Sequence, residues 1–135
     1  MASFRIEGGH RLEGTIVPQG AKNEVLQVVC ATLLTADEVV VENVPDIVDV
    51  NQLIALLRDM GVRVEHRSEG VYAFCAAQVN LDFLCSEDFM LRCSRLRGSV
   101  MLVGPLLARF GRALISRPGG DRIGRRRLDT HFRGL

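Results

Sequence analysis

Residues 20–34 read Gly20-Ala-Lys-Asn-Glu-Val-Leu-Gln-Val-Val-Cys-Ala-Thr-Leu-Leu34, and the fold is read outward from them. The apolar run from Val25 to Leu34 suits a helix of about three turns. Asn23 or a neighbour is placed to cap it. Glu38–Val44 follows, rich in β-branched valine, and reads as a strand. Beyond Pro45, Asp49 is placed to cap a second helix running to Met60. Leu53, Leu56, Leu57 and Met60 recur there at helical spacing, and Gly61 supplies the stop. Val62–His66 and Val71–Cys75 flank Ser68-Glu69-Gly70 and read as a β-hairpin. The unit is helix, strand, helix, hairpin.

Upstream, Phe4–Glu7 and Gly14–Pro18 read as short strands around a turn at Gly8-Gly9. Downstream the pattern restarts. Gly104-Pro-Leu-Leu107 matches Ala31-Thr-Leu-Leu34, within an apolar helix expected over Arg97–Phe110. A strand is expected at Ala113–Ser116, and Asp129–Leu135 reads as the start of another helix. This second copy has no closing hairpin. Repeated units bury their apolar faces against neighbours, so the expectation is a piece of something longer, or a chain completed by a partner.

At 135 residues the chain suits one domain. A mean hydropathy of +0.16 with no apolar run near membrane-spanning length predicts an ordered, non-membrane protein. The first residues carry no apolar signal core, so a cytoplasmic location is the default expectation. Cys30, Cys75, Cys85 and Cys93 form no C-x-x-C pair and read as buried or inert thiols. His10, His66 and His131 are too scattered to argue for a metal, and no cofactor is expected.

Net charge is +1, yet residues 109–135 hold eight arginines against Asp121 and Asp129. Such a tail admits a nucleic-acid reading. Against it stand the glycines that interrupt the segment and the two aromatics, Phe110 and Phe132, that are all it offers for stacking. Lys22 is the chain's single lysine, which marks it for a specific task. It stands with Asn23 at a helix start, where free N–H groups favour phosphate. Arg97 opens the repeat-equivalent helix and should lie near Lys22 if the repeats pack side by side. Pro118-Gly-Gly-Asp121 then presents a carboxyl group within a cluster of guanidiniums, and Lys22, Arg97 and Arg126 can converge on one anion beside Asp121.

These segments carry a resemblance. Phe4-Arg-Ile-Glu-Gly8, Gly20-Ala-Lys-Asn23, Val41-Glu-Asn-Val-Pro45, Gly104-Pro-Leu-Leu-Ala-Arg-Phe-Gly111 and Pro118-Gly-Gly-Asp-Arg-Ile-Gly-Arg-Arg-Arg-Leu-Asp-Thr-His131 together resemble the N-terminal third of the bacterial UDP-N-acetylglucosamine enolpyruvyl transferases. The sister family acting on shikimate 3-phosphate is similar in fold but lacks the P-G-G-x-x-I-G-x-R loop. The resemblance implies an α/β (α+β) fold, an inverted α/β barrel of repeated β-α-β-α-β-β units, here incomplete. Residues 1–21 would supply strands to the second domain of the full enzyme. Residues 22–135 would form an incomplete first domain of one full unit and part of a second.

It also implies transfer of an enolpyruvyl group from phosphoenolpyruvate to the 3′-hydroxyl of UDP-N-acetylglucosamine, releasing phosphate, in peptidoglycan synthesis. Lys22 and Asn23 match the phosphoenolpyruvate pair. Arg97 and Arg126 match arginines at the substrate pocket and mobile loop. Arg126, Arg127, Leu128, Asp129 and Thr130 match the segment along the uridine nucleotide, with Arg127 and Thr130 departing from the usual Pro and Leu. Asp121 stands where most members carry cysteine, in the role of the acid that protonates the methylene carbon. A free carboxyl ionises near pH 3.9; arginines lower that further and incoming anions raise it, so Asp121 is expected to be protonated mainly in the substrate complex. An epoxide that alkylates the cysteine form should spare it. The 135-residue chain alone is expected to show no turnover. The remaining readings are a nucleic-acid module and a self-associating fragment.

Overall fold

Val25, Leu26, Val29 and Cys30 fall on one side of the first helix, α1 (Lys22–Ala31), and all four are buried. The computed structural model describes residues 3–117, 119 and 127–135. α1 tightens into a 3₁₀ turn, Thr32–Leu34, where Leu33 is fully buried and the Thr32 hydroxyl donates to the Val29 carbonyl at 2.7 Å. Strand β1 (Glu38–Val41) and helix α2 (Val48–Asp59) follow, then strands β2 (Arg63–Ser68) and β3 (Val71–Cys75). β3 lies between the other two and is antiparallel to both, giving the order β1-β3-β2. α2 therefore connects the two outer strands, and the hairpin returns β3 between them.

The register sorts the two faces of the sheet. Val39 and Val64 flank Phe74, and Val41 and His66 flank Tyr72. Phe74 is fully buried, with Val41, Val64 and Tyr72 packed around the same core. On the other face Glu38 meets Arg67 at 2.5 Å and Arg63 at 3.7 Å. Period-two alternation accounts for this division. α2 contributes Val50, Leu53, Ile54, Leu56 and Leu57 to the core and ends at Gly61, whose φ of +93° is a left-handed stop. Each fully buried leucine or phenylalanine stabilises the fold by about 1.5–3 kcal/mol.

The second half is helical. After a 3₁₀ turn at Leu81–Cys85 comes α3 (Glu87–Arg95), started by Ser86, whose hydroxyl accepts from the Phe89 N–H at 3.1 Å. A 3₁₀ segment, Arg97–Leu102, runs into α4 (Val103–Phe110), and the short α5 spans Asp129–Gly134. Arg109 binds α4 to the first half. Its Nη1 donates to the carbonyls of Leu33 (2.9 Å), Thr35 (2.9 Å) and Ala76 (2.8 Å).

Several expectations change. Phe4–Glu7 and Gly14–Pro18 form no strands; Phe4, Ile6, Ile16 and Val17 are each at least 81% exposed. A strand requires a ladder partner, and none of the described residues pairs with them. Ala113–Ser116 is also irregular. Its alternation survives, with Ala113 and Ile115 packed on the core and Leu114 exposed, but among the described residues no strand pairs with it. β1 ends at Val41 rather than Val44, because Asn43 turns the chain at a φ of +55°. The helix expected over Arg97–Phe110 is divided between 3₁₀ and α geometry. The N-cap positions of α1 and α2 are Ala21 and Ile47, not Asn23 and Asp49, which sit inside the first turns.

The thiols also divide. Cys30 and Cys93 are buried, Cys75 is half-buried and Cys85 is exposed, so the burial expected of these thiols does not extend to Cys85. Burial pushes the Cys30 thiol strongly up, with Cys93 adding to it. Burial likewise pushes Cys93 up to about 11, opposed by its hydrogen bond with Ser99. Among the described residues, no helix is long and apolar enough to cross a membrane.

Candidate functional site

Lys22 and Asn23 occupy the first turn of α1, which has no side-chain cap. The same side of the molecule receives the start of the 97–102 segment, because Gly98 packs on Leu26: a Cβ added there would lie 3.2 Å from Leu26 Cδ1. Absence of a side chain at Gly98 thus lets the two chains approach and brings Arg97 beside α1. α3 ends at Arg95, and α2 begins close enough for Asp49 to form an ion pair with Lys22 Nζ.

The result is a cleft of about 670 Å³ whose lining includes Lys22, Asn23, Asp49, Arg95, Arg97 and Arg127, with Leu128 and His131 closing one side. That volume lies within the range of small-molecule sites. Four cations, Lys22, Arg95, Arg97 and Arg127, and one carboxylate, Asp49, line it, so the cleft carries an excess of positive charge. Both Lys22 and Asp49 remain partly open to solvent (49% and 39% side-chain exposure), which leaves their pairing weak enough for a ligand to displace. Arg92 braces the site's support. It pairs with Asp59 of α2 and, at 2.9 Å, with Asp88 of its own helix. The hydrogen bond to Asp88 is the chief cause holding its guanidinium further toward the charged form, and burial opposes it.

Of the residues expected from sequence, Lys22, Asn23, Arg97, Arg127 and Leu128 come together in this cleft. Asp129 does not line it; its Oδ2 accepts from Arg127 Nε at 2.6 Å and orients that arginine. Thr130 lines an adjoining, more apolar recess of about 360 Å³ with Val100, Met101, Val103 and Phe132. Asp121 and Arg126 lie outside the described residues. Sequence reasoning missed Asp49 and Arg95 as cleft residues. Asp49 had been read only as a helix cap, and Arg95 belongs to α3, whose Ser86 cap and Phe89/Cys93 spacing were the signals available.

This α/β chain, with a Lys-Asn pair and a group of arginines around one cleft, belongs to the EPSP synthase family (3-phosphoshikimate 1-carboxyvinyltransferase), which it matches over residues 6–135. Within that family it is similar to proteins named UDP-N-acetylglucosamine 1-carboxyvinyltransferase. The relative from Bacteroides fragilis is 67% identical over 135 residues, covering 100% of this chain and 31% of the relative. That from Porphyromonas gingivalis is 59% identical over the same span. That from Bradyrhizobium diazoefficiens is 45% identical over 98% of this chain and 30% of its own length. The chain thus spans about a third of the curated relatives it matches. Among solved structures, the enolpyruvyl transferase NikO from Streptomyces tendae aligns with a TM-score of 0.58 and 26% identity, over 78% of this chain and 24% of that one.

Proposed function

We propose that this chain contributes one wall of the active site of a UDP-N-acetylglucosamine 1-carboxyvinyltransferase. The observation that carries the proposal is the convergence of Lys22, Asn23, Arg95, Arg97 and Arg127 on one cleft, in a chain 67% identical to a protein of that name. The family description names a 3-phosphoshikimate enzyme, but relatives from 45% to 67% identical across the chain favour the nucleotide sugar. Its place of action in this reading is the cytoplasm.

Lys22 and Asn23 hold the phosphate and carboxylate of phosphoenolpyruvate through an ammonium and an amide. Arg97, with the segment Arg126–Thr130, holds the UDP-N-acetylglucosamine. Asp121 gives a proton to the methylene carbon while the sugar 3′-oxygen bonds to the adjacent carbon and loses its own proton. That methyl carbon then returns a proton to Asp121, its C–H electrons form the new C=C bond, and the phosphate departs with the electrons of its C–O bond, carrying in the net reaction the proton lost by the sugar hydroxyl. The net change replaces a phosphate oxygen by a sugar oxygen on the enolpyruvyl carbon. No metal is required in this scheme because fixed guanidiniums supply the charge.

The test is a chimera in which this chain replaces the matched segment of the Bacteroides fragilis relative. Phosphate release should need both substrates and should be lost in Asp121→Asn. A folded chimera that releases no phosphate, or an Asp121→Asn form with full turnover, overturns the proposal.

A further inference from the structure

Segment 3–21 approaches α1 almost without anchorage. Among the described residues, one hydrogen bond ties its residues 3–20 to the body of the fold: the Gly20 N–H donates to Asn43 Oδ1 at 3.1 Å. Asn43 is also the one non-glycine residue among them with positive φ, +55°. Asparagine tolerates that left-handed conformation because its short amide can bond locally. Here the amide oxygen instead reaches across to the chain entering the helix.

The contact is close on both sides. A Cβ at Gly20 would collide with the Asn43 carbonyl oxygen and lie 3.2 Å from Pro45 Cδ. The hairpin turn holds the next residue: the Val44 N–H donates to the Gly70 carbonyl at 2.9 Å, and a Cβ at Gly70 would lie 3.7 Å from Asn43 Cα. Val44 and Pro45 are buried. The Asn43 turn is therefore fixed to the sheet and the core, while its side chain fixes Gly20, two residues before Lys22. The same stretch continues to Asp49, which pairs with Lys22, and Asn51 Nδ2 braces it by donating to Asp46 Oδ1 at 2.7 Å. Residues 43–49 thus grip the start of α1 at two points.

We infer that Asn43 is a positioning residue for the Lys22-Asn23 pair: its left-handed backbone and amide acceptor set the entry of α1 so that both side chains face the cleft. This rests on the reading of the cleft as an anion site, and Asn43 itself touches no substrate.

Three substitutions separate its two contributions. Asn43→Asp keeps the acceptor and the left-handed tolerance, Asn43→Gly keeps only the backbone, and Asn43→Ala keeps neither. In the 135-residue chain, amide exchange at Gly20 and the backbone shifts of Ala21–Glu24 report positioning without any ligand. Titration with inorganic phosphate and with phosphoenolpyruvate, followed at the Lys22 and Asn23 amides, reports the site. Gly20 exchange should quicken about tenfold in Asn43→Gly and Asn43→Ala. Phosphate affinity should fall several-fold in both, and Asn43→Asp should restore each. Unchanged Gly20 exchange in Asn43→Gly, or an Asn43→Asp no better than Asn43→Ala, overturns the inference. If the unsubstituted chain binds neither ligand, the anion-site reading fails, and the exchange and shift data still decide whether Asn43 sets the start of α1.

Discussion

The Lys22 ammonium and the Asp49 carboxylate form an ion pair that links the first turns of α1 and α2 across the mouth of the cleft. The chain's single lysine is thereby held at the site by a neighbouring helix, yet it is paired with a charge that any incoming anion must displace. The pair orients Lys22 and competes with ligand at once.

Removing the competitor should favour ligand. Asp49→Asn is expected to tighten phosphate binding to this chain by about fivefold, the scale of an exposed ion pair worth up to 1 kcal/mol. Lys22→Gln should weaken it by at least as much. Isothermal titration at two salt concentrations checks both, and weaker binding in Asp49→Asn would show that orientation outweighs competition.

Arg109 joins elements that are distant in sequence. Arg109→Met should destabilise the chain by about 3 kcal/mol, because three carbonyls, those of Leu33, Thr35 and Ala76, lose a charged donor in a partly buried setting. Arg109→Lys should recover part of this. Urea denaturation separates the two, and a loss below about 0.5 kcal/mol would contradict the role given to this side chain.

Gly98 sets the distance between α1 and Arg97. Gly98→Val is expected to cost about 1–3 kcal/mol through overpacking against Leu26. Phosphate binding should fall as well, since Arg97 is carried away from Lys22. Binding equal to that of the unsubstituted chain, in a stably folded variant, would mean that the cleft does not depend on this contact.

The thiols should react in an order set by exposure. Cys85 should be alkylated first at neutral pH, with Cys30 and Cys93 protected until the chain unfolds. Mass spectrometry after a short iodoacetamide pulse reads the order.

The same two buried thiols make a pH prediction. A thiol whose folded pKa is raised binds its proton more tightly when folded. Its contribution to stability is complete below the unfolded value of 9.0 and is lost as pH rises toward about 11, the Cys93 value. Cys30 is shifted in the same direction and adds to the loss. Unfolding free energy should therefore fall more steeply between pH 9 and 11 in this chain than in the Cys30→Ala/Cys93→Ala double variant. Parallel curves would refute the linkage.

The local elements between Lys22 and Cys75 were legible in order because each carries its own local signal: Val25–Leu33 and Leu53–Met60 at helical spacing, the run of β-branched valines in β1, and the hairpin around Glu69-Gly70. The expected strands at 4–7, 14–18 and 113–116 failed for a common reason. Alternation specifies a face, whereas a strand exists only where another backbone completes its ladder. α3 was missed because its buried side, chiefly Phe89 and Cys93, is small beside its charges.

By itself the sequence determined part of the composition of the cleft: a lone lysine beside asparagine at a helix start, arginines concentrated downstream, and ordered motifs shared with a family. Tertiary structure alone decided which of those charges meet. Asp49 and Arg95 belong to the site because α2 begins and α3 ends there, and Gly20 is tied to Asn43 because the turn after β1 comes up against it. Such relationships depend on packing between elements far apart in the chain, which no local pattern of residues encodes.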